Sequence, residues 1–376
     1  MEELGDGLGG DAVGIVATRQ DTAAGAAPAE TLELLGGKGF GLGEEFFPGI
    51  IGQCRRRFGT GLRLVPDRGA GRGVYGVYAD FATNEGAVPV IQGVKSQTEK
   101  FAGAAMSTTI EAMMQDTRAL QSGTSHFLGQ NFAKAFNIQF LDENNTLQYA
   151  WTTSWGLSTR FIGAIIMTHG DDQGLILPPR LAPIQAVIVP IFKSEPEIAA
   201  VMEVVKRVEA ELKAAVIRIK VDDRTEVTPG FKFNDWEMRG VPLRIEIGPK
   251  DVEKGTVALA RRDRPGREGK SFVPQAGLAA TVADLLVDIQ KSLLERATAF
   301  RDSHIFEPKD YSELTKVVQN GWAYSYWCES AECEAKVKED TKATTRCIPL
   351  GQEEGPGKCI VCGKDASHKA YFARAY

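Results

Sequence analysis

The 376-residue sequence predicts a multidomain protein that combines α/β and α+β parts. Three observations predict this fold class. Strand-like segments joined by a polar turn lie within residues 138–153, strands alternate with an amphipathic helix within residues 186–260, and two cysteine pairs near the C-terminus are spaced as in small metal-binding domains. The apolar and charged fractions, 43% and 25%, are those of an ordinary globular protein.

Composition excludes several classes of protein. No apolar run approaches the roughly 18 to 20 residues of a membrane span, and no basic leader precedes an apolar core, so we expect a cytoplasmic protein that does not contact membranes. A net charge of -5 argues against a generally polyanion-binding surface, so nucleic-acid contact requires a local basic patch. Five of the six cysteines follow residue 327, which is not the distribution of a disulfide-framed secreted chain.

Residues 1–73 hold 18 of the 40 glycines and show little amphipathic period, so we expect an unassigned glycine-rich extension. Two motifs within it are weak. No Ser or Thr follows Lys38 in a Gly-rich segment, so the phosphate-loop pattern is not met. The basic run Arg55 to Arg57 is a nucleic-acid contact or, more commonly, a solvated turn.

The next segment predicts part of a sheet. Residues 88–91 are strand-like, and residues 108–114 continue as strand or short helix. Residues 138–140 and 147–153 predict two antiparallel strands, because the polar turn 142–145 separates them. We expect these strands to form a floor with polar side chains at its rim.

Two polar, glycine-containing clusters flank those strands, residues 123–126 and 155–160. The apolar run after the second cluster predicts a buried helix with Arg160 in its first turn. A guanidinium beside unpaired backbone amides suits a triphosphate, while Thr124 and His126 can orient a small polar ligand. The alternative is structural, since a single histidine is most often hydrogen-bonded core and Trp155 is most often packing.

His169, Asp171 and Asp172 resemble a metal or acid/base group. Their place between a helix and a glycine favours a helix-capping role instead.

Residues 184–288 predict an α/β domain. Four strands are expected at residues 186–189, 216–221, 243–247 and 257–260, with a helix over 196–215 and a second amphipathic helix that carries Val282 to Leu293 on one face. The segment 254–270 holds six cations and two carboxylates, a surplus of four positive charges. This surplus is equally consistent with a contact to a nucleic-acid phosphate backbone and with a solvated basic loop. Its six cations are Lys254, Arg261, Arg262, Arg264, Arg267 and Lys270.

The C-terminal cysteines carry the strongest single motif. Cys328 and Cys333 form C-x4-C, Cys359 and Cys362 form C-x2-C, and 25 residues separate the pairs. Two such pairs grip a tetrahedral ion, so we predict structural zinc, with four buried thiols as the alternative. Cys347 is expected to be a small core residue.

Several segments together resemble prolyl-tRNA synthetase, a class II aminoacyl-tRNA synthetase, of the archaeal and eukaryotic type. They lie in order between Tyr75 and Tyr376 and cover about four fifths of the chain. The matching segments are residues 102–103, 123–132, 153–160, 168–172, 177–183, 236–237, 240–244, the cysteine spacing and 373–376.

The resemblance implies an enzyme that forms prolyl-adenylate from proline and ATP with Mg2+ and transfers the prolyl group to tRNA(Pro). It implies part of a class II antiparallel-sheet catalytic domain in residues 74–183, an α/β anticodon-binding domain in 184–288 and a small α+β zinc-binding domain in 289–376. Members of the family are homodimers.

The resemblance also assigns roles to residues. Arg160 matches the arginine of motif 3 that holds ATP phosphate, and with His126 it is expected to be catalytic. Binding of proline or ATP is expected of Thr124, Gln130, Trp155, Gly156, Ser158, Thr159 and the terminal Tyr376. Glu237, Arg244, Arg267 and Lys270 are expected to bind tRNA, and Cys328, Cys333, Cys359 and Cys362 to hold zinc.

Motifs 1 and 2 of the class II family are not recognisable in residues 1–73. Motif 2 supplies charge to the ATP α-phosphate, so its loss is expected to impair activation. A non-catalytic tRNA-binding protein derived from the C-terminal part of a synthetase is therefore the alternative function.

Overall fold

Two large sheets organise the part of the chain that the computed structural model describes, residues 72–192, 194–353 and 355–376. The glycine-rich extension, with Lys38 and the arginine run, lies outside those residues. Within the described residues, no helix is long and apolar enough to cross a membrane.

The first part of the described chain builds half of an antiparallel sheet. A π-helical turn, Phe81–Glu85, follows the first helix, and Gly170 ends the last one by donating its amide to Ile166 O. The elements are α1 (Arg72–Asp80), β1 (Val90–Val94), β2 (Met106–Met113), β3 (Ala119–Gly129), α2 (Asn131–Ala135), β4 (Gln139–Leu141), β5 (Leu147–Tyr149), β6 (Thr152–Gly156) and α3 (Arg160–His169).

The middle part is a five-stranded sheet with helices against it, in strand order β11-β10-β9-β7-β8. Its elements are β7 (Ala186–Pro190), α4 (Glu195–Ala214), β8 (Ile219–Val221), α5 (Pro229–Met238), β9 (Leu243–Ile247), α6 (Pro249–Lys254), β10 (Thr256–Arg261), β11 (Lys270–Pro274) and α7 (Leu278–Ser303). The central strands β7 and β9 are parallel, and residues 186–190 are all buried, as a strand covered on both faces requires.

The C-terminal part returns to the first sheet. Its elements are β12 (Ile305–Phe306), α8 (Tyr311–Val317), β13 (Trp322–Trp327), α9 (Ala331–Thr341), β14 (Thr344–Pro349), β15 (Gly357–Lys358), β16 (Asp365–Ala366) and β17 (His368–Ala373). Strand β14 pairs antiparallel with β1, so one eight-stranded sheet has the order β12-β13-β17-β14-β1-β2-β3-β6. The mixed α/β multidomain fold is confirmed, and the sheet of the first part continues into the C-terminal part.

Three of the expected elements need correction. The predicted floor is wrong, because β4 and β5 form a separate two-stranded hairpin and Thr152–Gly156 is a strand of its own that pairs with β3. The strand expected from Val216 is only Ile219–Val221, since Val216 has a φ of 61° and is 85% exposed. The basic segment 254–270 is more than a loop, because it contains β10 and the turn of a β-hairpin whose second strand, Lys270–Pro274, was not expected and pairs antiparallel with β10 at the sheet edge.

His169 is neither a metal ligand nor a cap. Its ring is buried at the end of α3, and Nε2 lies 3.1 Å from Gly86 O. Burial lowers the pKa of His169 to about 4, so the ring is neutral at pH 7. It connects α3 to the turn that follows the π-helical segment.

A buried ion network lies where the two halves of the long sheet join. The Glu111 carboxylate accepts from Lys95 Nζ at 2.8 Å and from Arg346 Nη2 at 2.8 Å, and Thr109 Oγ1 donates to it at 2.8 Å. Burial opposes ionisation of Glu111, but the two cations more than offset it, so its pKa lies below its usual range. The chain thus ties β2 to the loop after β1 and to β14 through one carboxylate.

The variant Glu111→Gln is expected to lower the free energy of unfolding by about 3 to 5 kcal/mol, because Lys95 and Arg346, both buried, would lose the charged carboxylate that they share. Chemical denaturation followed by tryptophan fluorescence measures this. The control is Glu295→Gln, which removes an exposed partner of Lys291 and should cost under about 1 kcal/mol. Equal losses in the two variants would contradict the prediction.

Candidate functional site

Pairing between β3 and β6 brings the two polar clusters of the sequence together. Thr124 lies opposite Gly156, and His126 lies opposite Ser154. On the other side of β3, Ser107 of β2 lies opposite His126. We call Ser107, Thr124 and His126 the rim cluster. Because alternate residues of a strand point to the same face, these three side chains share one face of the sheet.

The His126 ring is held by a hydroxyl and an aromatic ring. Its Nδ1 lies 2.7 Å from Ser107 Oγ, and the Phe101 ring centroid lies 4.9 Å from that of the imidazole. Ser107 Oγ also accepts from the Phe101 amide at 3.2 Å, and its hydroxyl hydrogen can be donated to Nδ1, in which case the imidazole hydrogen is on Nε2. Burial lowers the pKa of His126, which favours the neutral ring.

Arg160 is the first residue of α3, four positions after Gly156. Its side chain is exposed, and its guanidinium makes no ion pair with the described residues. Ser158 Oγ accepts the Arg160 amide at 3.3 Å, and Thr159 is exposed beside it. The sequence therefore presents an available guanidinium at a helix N-terminus next to the rim cluster, which suits an anion.

Three other predicted ligands lie elsewhere. Trp155 is opposite Ser125, so it points to the far face of the sheet, where its ring lies 6.3 Å from that of Tyr78. Gln130 donates to Tyr149 O at 2.8 Å and holds the hairpin. Tyr376 donates to Asp116 Oδ2 at 2.7 Å, at the turn between β2 and β3.

A cavity of about 330 Å³ lies in the α/β domain, and we call it the basic cavity. The four residues predicted to bind tRNA all line it, because the β10–β11 hairpin folds Arg267 and Lys270 toward the other two. Its lining is Gln173, Phe233, Glu237, Arg244, Glu246, Ala260, Arg261, Arg262, Pro265, Gly266, Arg267 and Lys270.

Charges in the basic cavity are partly paired. Arg244 donates to Glu237 at 2.6 Å and to Glu246 at 3.1 Å, and Lys270 donates to the second oxygen of Glu246 at 2.7 Å. Arg267 has no ion pair with the described residues. The cavity thus offers both carboxylate acceptors and guanidinium donors, the groups that recognise the edges of nucleic-acid bases.

An aromatic ring and a cross-domain ion pair complete this cavity. The Arg244 guanidinium lies 4.1 Å from the centroid of Phe233, which orients it. Arg262 donates through Nη1 to Asp171 at 2.9 Å, and through Nε to Glu237 O at 3.0 Å. The basic segment therefore contains structural cations as well as an available one.

The four predicted cysteines converge, with all four Sγ atoms within 4.8 Å of one another. The Sγ of Cys328 is 3.6 Å from that of Cys333 and 3.7 Å from that of Cys362. Tetrahedral zinc with Zn–S bonds of about 2.3 Å requires S–S separations of about 3.8 Å, so the sulfurs fit a structural zinc ion. Cys347 is buried away from them, as predicted.

A backbone hydrogen bond favours the thiolate form of one of these four cysteines. Cys359 and Cys362 lie in the turn between β15 and β16, where Cys359 N donates to Lys364 O at 2.8 Å. A hydrogen bond from the Lys364 backbone lowers the pKa of Cys362 to about 7. Burial has the opposite effect on Cys333, whose pKa lies above its usual range. A bound cation would favour the thiolate of both.

Sequence reasoning missed several side chains that border these sites. No motif marks Ser107 in the sequence, whereas Phe101 directly precedes Ala102 and Gly103, which resemble the family. In the basic cavity, Phe233 precedes the matched residues 236–237 by three positions, which is one helical turn and a usable signal. Gln173 had none, because only the tertiary fold brings it to the cavity.

Comparison with known proteins finds two family matches in the described chain and relatives that match about four fifths of the whole chain. Residues 185–272 match the family described as an anticodon binding domain, and residues 311–376 match the C-terminal family of prolyl-tRNA synthetase. Proline–tRNA ligase of Roseiflexus castenholzii is 59% identical over 300 residues, 80% of this chain and 62% of the relative. The Arabidopsis thaliana chloroplastic/mitochondrial enzyme is 51% identical over 304 residues, 80% of this chain and 56% of the relative.

A solved structure shows the same relationship to prolyl-tRNA synthetases. Prolyl-tRNA synthetase of Cryptosporidium parvum, complexed with L-proline and AMP, is 38% identical with a TM-score of 0.75. The match covers 81% of this chain and 65% of that chain. This chain therefore spans about three fifths of the length of the relatives it matches.

Loss of one thiolate should abolish tight metal binding. The variant Cys362→Ala is expected to bind zinc at least about 100-fold more weakly than the unaltered chain, because three ligands leave the tetrahedral site open. Competition with a chromophoric chelator measures the affinity. The matched control Cys347→Ala should retain zinc, and its loss there would contradict the assignment of ligands.

Proposed function

Because the chain belongs to the prolyl-tRNA synthetase family of the archaeal and eukaryotic type, we propose that it activates proline with ATP and transfers the prolyl group to tRNA(Pro). The observation that carries the proposal is the β3–β6 pairing, which sets His126 and Thr124 beside the strand that leads into Arg160. The L-proline and AMP of the Cryptosporidium parvum structure support the same ligand classes here.

In the activation step, the proline carboxylate attacks the α-phosphate of ATP and pyrophosphate leaves. Arg160 would bind the departing phosphates, since its guanidinium is available and α3 adds backbone amides with partial positive charge. Mg2+ would accompany ATP and neutralise part of the same charge. Thr159 and Ser158 lie beside this position and would bound the nucleotide.

The rim cluster would hold proline. Thr124 offers a hydroxyl. With the Ser107 hydroxyl donating to Nδ1, His126 Nε2 would donate to a carboxylate or carbonyl oxygen, and because burial lowers the pKa of His126 the ring would do so without forming a buried ion pair. The Phe101 ring covers the imidazole and would give the pyrrolidine an apolar contact. Trp155 would support the site by packing against Tyr78, and Gln130 by its hydrogen bond to the β4–β5 hairpin. Tyr376 would support it from the turn between β2 and β3, where it donates to Asp116.

The basic cavity would receive the anticodon of tRNA(Pro). Glu237 and Glu246 would accept from guanine N1 and N2, and Arg244, Arg267 or Lys270 would donate to O6 and N7. We propose residues 74–183, 184–288 and 289–376 as the catalytic, anticodon-binding and zinc-binding domains, and the cytoplasm as the compartment. A homodimer is the proposed assembly.

Proline-dependent exchange between ATP and pyrophosphate tests activation. Replacing Arg160 by Ala is expected to lower the exchange rate by about 100-fold or more, because the guanidinium would stabilise charge that develops in the transition state. The matched control is Arg207→Ala on α4, which should exchange like the unaltered chain. If the unaltered, zinc-loaded chain gives no exchange above background, the proposal of catalysis fails.

Binding of tRNA tests the second function separately. Arg267→Ala is expected to weaken binding of tRNA(Pro) about 10-fold, since a bidentate contact to guanine is worth about 1 to 3 kcal/mol. Filter binding at fixed salt measures this, with Arg207→Ala as protein control. A transcript with substituted anticodon guanines should bind weakly to every variant; equal affinity for both transcripts would exclude anticodon reading. Binding without exchange would favour the non-catalytic tRNA-binding alternative.

A further inference from the structure

The segment Lys95 to Phe101, which we call the 95–101 loop, connects the C-terminal unit to the rim cluster. At one end, Ser96 Oγ donates to Glu334 Oε1 at 2.9 Å, and Thr98 Oγ1 donates to Oε2 of the same carboxylate. Glu334 lies in the first turn of α9 and is only 5% exposed. Both of its oxygens are therefore used by a loop more than 230 residues away in sequence.

The other end of the loop reaches the proposed proline site. The Phe101 amide donates to Ser107 Oγ, which contacts His126, and the Phe101 ring lies against the imidazole although it is 48% exposed. The Phe101 ring also stacks on Phe132, with 6.2 Å between the ring centroids. The loop backbone adds to this placement, because the amide that Ser107 Oγ accepts is that of Phe101 itself.

Glu334 is itself positioned by the four-cysteine cluster. It directly follows Cys333, whose Sγ is one corner of the sulfur tetrahedron. The first turn of α9 is therefore fixed by the same interactions that close the metal site, and the carboxylate is directed to the loop from there. Ser96 also stabilises the loop internally by accepting the Glu99 amide at 3.1 Å.

We propose that Glu334 is a positioning residue, through which the metal-bound cysteine unit fixes the 95–101 loop and keeps Phe101 over His126. The role in proline binding rests on the proposed function, whereas the coupling of Glu334 to the His126 environment does not. With the carboxylate removed, the loop loses two charge-assisted hydrogen bonds and Phe101 samples other positions.

Nuclear magnetic resonance of the histidine rings tests the coupling without any activity. The chain has only 4 histidines, so the His126 ring signal can be identified from its absence in His126→Gln. The stacked Phe101 ring shifts that signal, and Phe101→Leu gives the position expected when the ring is absent. In Glu334→Gln the signal should move most of the way toward the Phe101→Leu position.

Two further variants make the test specific. Glu339→Gln, which removes the same charge from an exposed position of α9, should leave the signal unchanged. The double variant Ser96→Ala, Thr98→Val removes the partner hydroxyls without altering α9 and should move the signal as Glu334→Gln does, with zinc still bound. If the His126 signal does not move in the zinc-loaded double variant, the proposal is overturned. This test holds even if Glu334→Gln does not fold.

Metal removal and kinetics extend the same test. Chelation of zinc should move the His126 signal of the unaltered chain and leave that of Phe101→Leu in place; an unmoved signal in the chelated chain would disprove the link to the cysteines.

If the chain exchanges pyrophosphate, Glu334→Gln should raise KM for proline about 10-fold with kcat nearly retained. A fall in kcat with unchanged KM would contradict positioning, whereas absence of exchange in every chain would bear only on the proposed function.

Discussion

The Glu111 carboxylate is the interaction on which the long sheet depends. A β-ladder between β1 and β14 joins strands that are more than 250 residues apart, and the recorded register contains only two Cα pairs, Gly93 with Pro349 and Val94 with Ile348. A ladder of two residue pairs specifies the register between β1 and β14 only weakly. The buried pairs from Glu111 to Lys95 and Arg346 specify it instead, because any slip would leave charges unpaired in a site that excludes water.

This arrangement joins the first part of the described chain and the C-terminal part in one continuous sheet. Arg346 reaches across from β14, Lys95 begins the loop that ends at Phe101, and Glu334 holds that loop from the opposite side. If Glu334 acts as proposed, the four-cysteine cluster is one support of the surface on which the rim cluster is arranged.

Local patterns in the sequence were sufficient to predict features whose burial or chemistry is set by residues close together in the chain. The stripe of apolar residues predicted α4 and α7, and the cysteine spacing predicted the sulfur cluster that the structure brings together. Polar residues such as Thr124 and His126 could be selected from residue type and from family resemblance. Their neighbours required the fold, because strand pairing alone sets Ser107 opposite His126.

The failures have physical causes. Residues 147–153 look like one strand, but the exposed Trp151 separates a hairpin strand from β6, which belongs to another sheet. Lys270 to Pro274 show no clear strand pattern because they form an edge strand, where solvent contact permits lysine and proline. The joining of two domains into one sheet left no local pattern, since the ladder itself is two residues long.

The cross-domain contacts also determine how the α/β domain can move. The chain enters it past Leu175 and Leu177, whose amides donate to Met238 O and Gly240 O, and Gly174 and Gly240 permit this close approach because a Cβ on either would meet backbone atoms within 3 Å. The chain leaves it through α7, which packs on Ile176. Entry and exit of the chain thus meet at one short segment, residues 175–177, which contacts the end of α5 and the loop after it through its amides and α7 through Ile176. Any rotation of the α/β domain relative to the long sheet would therefore turn about this segment.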